Sequence, residues 1–190
     1  MLKIVLENKG IKTDTFYIPP FVLYEGEMIL VNLLSYINFQ EKLKVIKDIF
    51  CGKTKHENVI VHEKILFMEH FQESFFRYHF YPTTVGEYLK KNADLNNQFA
   101  RKIYEFEGVT KKTKVKNLPF KENKLLHVYA ALSKSKKIAF DLMGVGAEVT
   151  EMKFKMIHDI VENGGSAILI DCYDDMKDRC TKYLEVQFLK

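Results

Sequence analysis

The sequence lacks the features that would place a chain outside the ordinary globular class. Its 190 residues contain only three cysteines, Cys51, Cys172 and Cys180, which is too few for a disulfide framework and leaves one unpaired. This count predicts a reducing, cytoplasmic environment. Residues 1–10 have no apolar signal-peptide core, and the longest apolar stretch, 28–39, is too short to span a bilayer. We therefore expect no membrane span.

Charge is unevenly distributed along a chain of otherwise ordinary composition. Hydrophobic residues make up 47% and charged residues 28%, as in soluble globular proteins. Residues 111–137 carry nine lysines against the single acid Glu122, whereas residues 138–190 are net negative. Such a basic run is found in nucleic-acid or anionic-surface patches. Few aromatic residues interleave with these lysines, so a solvated helix and loop is the favoured interpretation and nucleic acid is not favoured as a partner.

Alternating hydrophobic patterns predict a mixed α/β domain. An N-terminal antiparallel β part precedes a helical insertion at about 84–115 and a mainly parallel sheet formed by a C-terminal βαβ unit, all within one domain, 1–190. The capping-box pattern Thr84 to Glu87 marks a helix start. The predicted strands are 2–6, 15–18, 28–34, the pair 59–61 and 65–68, 137–142, 167–171 and 184–188. The principal predicted helices are 40–50, 118–132, 150–162 with Thr150 as N-cap, and 174–182.

Four segments follow one another in an order that is typical of one family. Gly26–Leu30 is similar to the strand before that family's phosphate loop, and Thr83–Leu89 to the opening of its helical subdomain. Ser135–Asp141 is similar to its Walker B strand, and Gly165–Ile170 to the strand before its switch histidine. Together these segments resemble the nucleotide-binding domain of ATP-binding-cassette (ABC) transporters in a degenerate form. The resemblance implies a P-loop-NTPase-like fold and a cytoplasmic subunit at the inner face of the membrane.

The phosphate loop of that family is missing. Such a loop needs the pattern G-x-x-x-x-G-K-[ST], whose glycines let backbone N–H groups approach phosphate while the lysine neutralises charge. The segment 31–42 contains no glycine, and Phe39 stands near the expected position of the lysine. A later Gly52-Lys53-Thr54 lacks the first glycine and is interpreted as a helix stop followed by a loop. We therefore expect neither ATP nor Mg²⁺ to bind tightly, and no cofactor.

The other positions that the resemblance implies are also altered. Leu142 stands where the family has its catalytic glutamate, and Leu118–Glu122 replaces the signature sequence. An alkyl chain cannot accept a proton from water, so we predict no catalytic residue. Asp141 retains the Walker B carboxylate and could hold Mg²⁺ through water. The residues matching the family's nucleotide-binding positions, which we interpret as vestigial, are Asp141, Glu148 (D-loop), His70 (Q-loop glutamine) and Tyr173 (switch histidine).

Histidines and aromatic residues crowd the segment 56–81. His56, His62, His70 and His79 show no metal-ligand spacing, so no metal site is predicted. The aromatic residues favour core packing, although so dense a cluster also has the composition of a protein-binding hot spot. On the resemblance, this stretch follows the Q-loop, where the family contacts its transmembrane partner. The candidate interface residues are Phe75, Phe76, Arg77 and Tyr78, within the cluster Phe71, Phe75, Phe76, Tyr78, Phe80 and Tyr81.

These features together predict a catalytically inactive ABC-ATPase-like subunit. It would act as a structural or regulatory partner of a membrane permease or of another ATPase subunit, including a second copy of itself. One alternative is a weakly active ATPase with a rebuilt phosphate site. Another is a basic module that binds nucleic acid or an anionic surface through residues 111–137. The identity of the partner and of any transported substrate is not encoded in recognisable motifs.

Overall fold

A computed structural model describes residues 3–35 and 37–189. The predicted strand 2–6 begins at Leu2, which lies outside these residues, as does Tyr36 in the segment that replaces the phosphate loop. The strands are β1 (Ile4–Asn8), β2 (Ile11–Lys12), β3 (Phe16–Ile18), β4 (Phe21–Tyr24), β5 (Met28–Asn32), β6 (Val59–Val61), β7 (Leu66–Phe67), β8 (Lys137–Phe140), β9 (Ser166–Asp171), β10 (Lys182–Glu185) and β11 (Gln187–Phe188). The helices are α1 (Phe39–Phe50), α2 (Phe75–Phe80), α3 (Val85–Asn92), α4 (Phe120–Lys134) and α5 (Ala147–Glu162), with 3₁₀ segments at Gln98–Glu105, Val115–Asn117 and Lys177–Arg179.

A five-stranded parallel sheet forms the centre of the fold. Its order is β10-β5-β9-β8-β7, and every neighbouring pair is parallel. Every residue of β5 and β9 is buried, which explains why residues 28–31 and 167–170 form continuous apolar runs rather than alternating ones. The predicted α/β class with a parallel C-terminal βαβ unit is confirmed.

The N-terminal part is antiparallel, as predicted, but its strands are distributed differently. One sheet has the order β4-β1-β6 and another the order β11-β3-β2. The predicted pairing of 59–61 with 65–68 is wrong, since β6 pairs with β1 and β7 pairs with β8. The N–H groups of His62 and Glu63 both donate to the carbonyl of Val5, at 3.0 and 3.2 Å. These bonds hold the end of β6 on β1, so the chain turns away before β7.

Two predicted C-terminal elements are also wrong. The helix expected at 174–182 is only the 3₁₀ turn Lys177–Arg179, because Thr181 bonds to Met28 through both its N–H (2.8 Å) and its hydroxyl (2.7 Å) and draws the chain into β10. The strand expected at 184–188 divides into β10 and β11, which belong to different sheets. Thr150 is not an N-cap but lies inside α5, where its N–H donates to the carbonyl of Gly146 at 2.9 Å.

The chain divides into two compact units. The first contains Met1–Phe67, Lys136–Gly144 and Phe154–Lys190, with all three sheets and an apolar core. The second contains Met68–Ser135 and Val145–Lys153, in which α4 packs against α3 and the 3₁₀ segment Gln98–Glu105. Its helical segments run from Phe75 to Lys134 and include the predicted insertion.

The second unit confirms the capping box. The Thr84 hydroxyl accepts from the Glu87 N–H at 3.2 Å, and the Glu87 carboxylate accepts from the Thr84 N–H at 2.8 Å. Within residues 3–35 and 37–189, no helix combines the length and apolar character needed to cross a membrane.

Candidate functional site

Polar side chains end three neighbouring strands of the parallel sheet. Asn32 ends β5, Asp171 ends β9 and Asp141 follows β8, and all three are buried. The Asp141 carboxylate accepts from the Met143 N–H at 2.9 Å, and the Asn32 amide donates to the Tyr183 hydroxyl at 3.0 Å. The carboxyl ends of parallel strands are where such folds place their ligands. These three buried polar side chains therefore lie at the edge of the sheet where α/β folds place their ligands.

Asp171 is a member of this group that sequence reasoning missed. Its carboxylate accepts from the N–H groups of Cys172 (2.7 Å), Tyr173 (3.3 Å) and Leu142 (3.3 Å). Burial raises the pKa of Asp171, although these backbone hydrogen bonds oppose the rise. The signal for it was an aspartate directly after the apolar run 167–170. Its hydrogen bonds hold together the segments that follow β8 and β9, which is a structural role.

The segment between β5 and α1 carries bulky side chains where a phosphate loop carries glycine. Leu33 is fully buried, and Leu34 and Asn38 adopt left-handed backbone angles, with φ of 53° and 55°. The Leu33 N–H donates to the Asp171 carbonyl at 2.7 Å, and the Leu34 N–H donates to the Asn32 side chain at 2.8 Å. These two amides are therefore engaged within the protein and do not form a phosphate cradle.

The first turn of α1 does contain one cation, Lys42. Its ammonium group donates to the carbonyl of Ile37 at 2.8 Å and lies 4.1 Å from the centre of the Phe188 ring. Burial lowers the pKa of Lys42. The ammonium group is thus directed at a backbone carbonyl and an aromatic ring.

The other residues predicted to match nucleotide-binding positions are distributed over both units. In the first unit, Tyr173 is exposed. In the second, Glu148 is exposed at the start of α5, and its carboxylate accepts from the Lys121 ammonium at 2.6 Å. His70 is half-buried and lines a cavity beside α2. Phe120, in the segment that replaces the signature, is exposed at the start of α4.

The predicted core packing is wrong for five of the six aromatic residues of the cluster, whereas Phe71 is half-buried and its ring packs against those of Tyr88 and His127. Five side chains on and beside α2 are between 45% and 77% exposed. Helix α2 is only six residues long, and none of its residues is buried. We call this group the aromatic surface; it consists of Phe75, Phe76, Tyr78, Phe80 and Tyr81 together with Arg77.

Neighbouring rings of the aromatic surface contact one another. The rings of Phe76 and Phe80 have centroids 5.1 Å apart, and those of Phe75 and His79 are 4.2 Å apart. The Ser74 side chain caps α2 by accepting from the Arg77 N–H. The aromatic surface therefore lies on an ordered helical turn, which limits the conformational entropy that it would lose when a partner binds.

A polar cavity of about 370 Å³ lies beside α2 within the second unit. Its lining includes His70, Glu73, Arg77, Glu87 and Tyr88. One carboxylate oxygen of Glu73 accepts from the Thr83 N–H at 2.7 Å, while the other is buried and has no hydrogen-bond partner among the described residues. Arg77 belongs both to the lining of the cavity and to the aromatic surface. The charged lining of the cavity therefore adjoins the apolar rings of the aromatic surface.

One lysine of the basic run reaches the aromatic surface. The Lys116 ammonium donates to the Tyr78 carbonyl at 2.7 Å and lies 4.6 Å from the centre of the Tyr78 ring. Aromatic rings and lysines that are far apart in sequence are therefore adjacent within the second unit, which the spacing of residues 111–137 did not indicate.

A buried histidine in α4 also escaped sequence reasoning. His127 Nδ1 lies 2.9 Å from the Tyr88 hydroxyl, and its ring stacks with Phe71 at 6.1 Å between centroids. Burial lowers the pKa of His127 to about 3, and the charges of His70, Lys124 and Lys153 act in the same direction. The imidazole is therefore neutral at physiological pH and acts as a packing and hydrogen-bonding group.

Two histidines of the segment 56–81 lie within hydrogen-bond distance of a carboxylate or a carbonyl oxygen. His62 Nε2 lies 2.7 Å from the Glu7 carboxylate, and His79 Nδ1 lies 2.9 Å from the Phe75 carbonyl. Among the described residues, the potential metal ligands that converge are His158, Asp159 and Glu162, which are all exposed on α5. Sequence spacing did not single out this group.

Solved structures with the same fold are ABC transporter cassettes. An inward-facing putative metal-chelate type ABC transporter aligns with a TM-score of 0.72 at 15% identity, over 99% of this chain and 84% of that chain. A putative ABC transporter ATP-binding protein from Pyrococcus furiosus aligns with a TM-score of 0.68 at 14% identity, over 95% and 96%. CbiO1 from Clostridium perfringens, part of the transporter complex cbiONQ, aligns with a TM-score of 0.64 at 14% identity, over 99% and 88%.

No protein-family model and no curated protein matches the sequence. The structural likeness at this low identity establishes the fold: the chain has the fold of ABC transporter ATP-binding cassettes.

Proposed function

We propose that this chain is a non-hydrolysing cassette-fold subunit that acts by binding a protein partner. The observation that carries the proposal is the exposed aromatic surface on α2, in a fold whose segment between β5 and α1 has leucine, isoleucine and phenylalanine but no glycine. Fold by itself does not determine activity, so the argument rests on the chemistry of these two regions.

The nucleotide positions support the loss of hydrolysis. Tight phosphate binding by this fold depends on several free backbone N–H groups and a lysine, each charge-assisted contact contributing about 1.5–3 kcal/mol. Here Leu33 and Leu34 direct their amides to internal acceptors, and Lys42 donates to a carbonyl. Leu142 cannot activate water. Loss of several contacts moves a micromolar site to the millimolar range or beyond.

The aromatic surface supports a protein partner. Large aromatic side chains and arginine dominate the binding energy of protein interfaces, and they are enriched at the centre of such interfaces. Phe75, Phe76 and Tyr78 surround Arg77 on one short helix, and the adjoining cavity can accept a side chain from the partner. A solved neighbour of the same fold is part of a transporter complex. We therefore favour a membrane permease or another ATPase subunit as the partner, at the inner face of the membrane.

Titration calorimetry with Mg-ATP tests the nucleotide half of the proposal. We expect no saturable binding below about 1 mM, the affinity left once the phosphate cradle is lost. A dissociation constant near or below about 10 μM would instead support the alternative of an ATPase with a rebuilt phosphate site.

Photo-crosslinking in native membranes tests the partner half. A benzoylphenylalanine in place of Phe76 is expected to crosslink one membrane or ATPase protein reproducibly. The same photoreactive residue in place of Tyr173, an exposed aromatic of the first unit, is the matched control. Equal crosslinking from both positions, or none from Phe76, would contradict the assignment of the aromatic surface as the interface.

A further inference from the structure

A second candidate binding surface lies in the first unit, beside the edge strand β6. A cavity of about 580 Å³ opens there, next to the C-terminal end of α1. Ile49, Val59, Ile60 and Val61 supply its apolar lining, and Val59 and Val61 pack towards the core while the Ile60 side chain is exposed. This cavity, which we call the groove, therefore presents apolar side chains on both faces of β6.

The backbone of β6 is open on the side away from β1. The Lys9 N–H donates to the Asn58 carbonyl at 2.8 Å, and the His62 N–H donates to the Val5 carbonyl at 3.0 Å. Hydrogen-bonded pairs alternate in an antiparallel ladder, so Ile60, midway between Asn58 and His62, bonds to β1.

Val59 and Val61 therefore direct their backbone groups to the open edge. The Val59 N–H is already used, since it donates to the His56 carbonyl at 3.0 Å. The Val59 carbonyl and both backbone groups of Val61 remain, and no described strand pairs with this edge. An added strand could make three main-chain hydrogen bonds here.

The charge of the residues that line the groove indicates which kind of added strand would bind there. Lys55, His56 and Lys64 contribute to the lining, and none of the described lining residues is acidic. An acidic segment is complementary to this rim. A second copy of β6 is disfavoured, because it would bring further lysines to a rim that is already basic.

We propose that β6 binds an extended acidic segment of another protein as an added antiparallel or parallel strand, whose alternate apolar side chains fill the groove. This binding site is in the first unit and does not depend on the aromatic surface or on the absence of ATP hydrolysis. The recognition chemistry is main-chain pairing to Val59 and Val61, with carboxylates meeting Lys55 and Lys64.

Fluorescence anisotropy with a labelled peptide of alternating glutamate and valine, eight residues long by design, tests the proposal. We expect saturable binding with a dissociation constant on the order of 100 μM, as is reasonable for a short unstructured strand. The same peptide with N-methyl groups on alternate amides keeps its charge and side chains but cannot pair with the edge. It is expected to bind at least about tenfold more weakly.

Charge reversal provides the matched variants. Lys55→Glu/Lys64→Glu is expected to weaken binding about tenfold or more, whereas Lys12→Glu/Lys44→Glu changes the net charge equally at exposed positions outside the groove and should leave affinity within about twofold. Hydrogen exchange gives a second readout, in which the peptide slows exchange of the Val61 amide in the unmodified chain.

Several results would overturn the proposal. Absence of saturable binding at about 1 mM peptide would do so, as would equal binding of the N-methylated peptide or insensitivity to Lys55→Glu/Lys64→Glu. Tighter, lysine-dependent binding of a single-stranded oligonucleotide would reassign the groove to polyanions in general. Circular dichroism of both double variants identifies misfolding, and the Val61 exchange measurement on the unmodified chain decides the question if either variant fails to fold.

Discussion

At the level of single residues, buried His127 makes stability depend on pH. Its folded-state pKa of about 3 lies below the ordinary value near 6.5, so the unfolded chain takes up the proton first as pH falls. The stabilisation is therefore complete above about pH 6.5 and is lost progressively as pH falls from there towards 3. Within this window, each unit by which the pH falls lowers the free energy of unfolding by up to about 1.4 kcal/mol.

Substitution of His127 by glutamine tests this dependence. His127→Gln retains a hydrogen-bond acceptor for Tyr88 but cannot titrate, so between pH 7 and pH 5 the unmodified chain is expected to lose about 2 kcal/mol more unfolding free energy than the variant. Urea unfolding at the two pH values measures the difference. His158→Gln, at an exposed position on α5, is the control and should not flatten the pH profile. Parallel pH profiles for His127→Gln and the unmodified chain would show that His127 is accessible to protons.

Two cysteines are predicted to be poor nucleophiles. Burial raises the pKa of both Cys172 and Cys180 to about 11, and the Asp171 charge adds to the rise at Cys172. Because the thiolate is the reacting form, iodoacetamide at pH 8 should alkylate both at least about tenfold more slowly than it alkylates glutathione. A mass-spectrometric time course with peptide mapping measures the rates. Complete alkylation at the rate of glutathione would mean that these thiols are more exposed to solvent than the structure indicates.

At the level of secondary-structure elements, the junction between α5 and β9 leaves no room for a side chain at Gly165. A Cβ on Gly165 would lie 2.5 Å from the Lys136 carbonyl oxygen and 2.7 Å from the Ile160 carbonyl oxygen, so the backbone itself would have to move. Gly52, after α1, differs because it has a φ of 71°, and a Cβ added there would meet nothing within 4 Å. The two positions therefore need glycine for different physical reasons: close approach at Gly165 and backbone conformation at Gly52.

Alanine substitutions distinguish these two roles. Gly165→Ala is expected to cost more than about 3 kcal/mol of unfolding free energy, because strands β8 and β9 must shift or the helix must move. Gly52→Ala should cost about 1–2 kcal/mol, the ordinary penalty for a side chain at left-handed angles. Chemical denaturation of the two variants measures both costs. A smaller loss for Gly165→Ala than for Gly52→Ala would contradict the packing of this junction.

At the level of the whole molecule, catalysis by this fold requires groups from several separate segments at once. Restoring one group, as in Leu142→Glu, is therefore expected to leave phosphate release from Mg-ATP at the level of a blank reaction. The segment 33–38 would still contain no glycine and no lysine that could bind the phosphates. A sensitive phosphate-release assay on the unmodified chain and the variant makes the comparison. A rise of about tenfold or more in Leu142→Glu would show that a working phosphate site persists, and would favour the enzymatic alternative.

Local sequence patterns were sufficient to predict the class of the fold, whereas the loss of the phosphate loop stays a prediction. The informative patterns all lie within short segments: the continuous apolar runs at 28–31 and 167–170, the capping box at Thr84 and the absence of glycine in 33–39. Patterns of this kind report burial and backbone chemistry directly. They therefore indicate the parallel sheet without information on contacts between distant residues.

Which strands pair, and which side chains remain exposed, depends instead on contacts between segments that are far apart in sequence. Aromatic side chains in 75–81 have the composition of a core, but α2 is too short to bury them, and nothing in their spacing shows this. Likewise, β6 pairs with β1 and leaves an open edge, and Asp171 accepts from the Leu142 amide 29 residues earlier in the chain. Strand partners and exposed faces depend on contacts between residues far apart in sequence, and no local pattern contains that information.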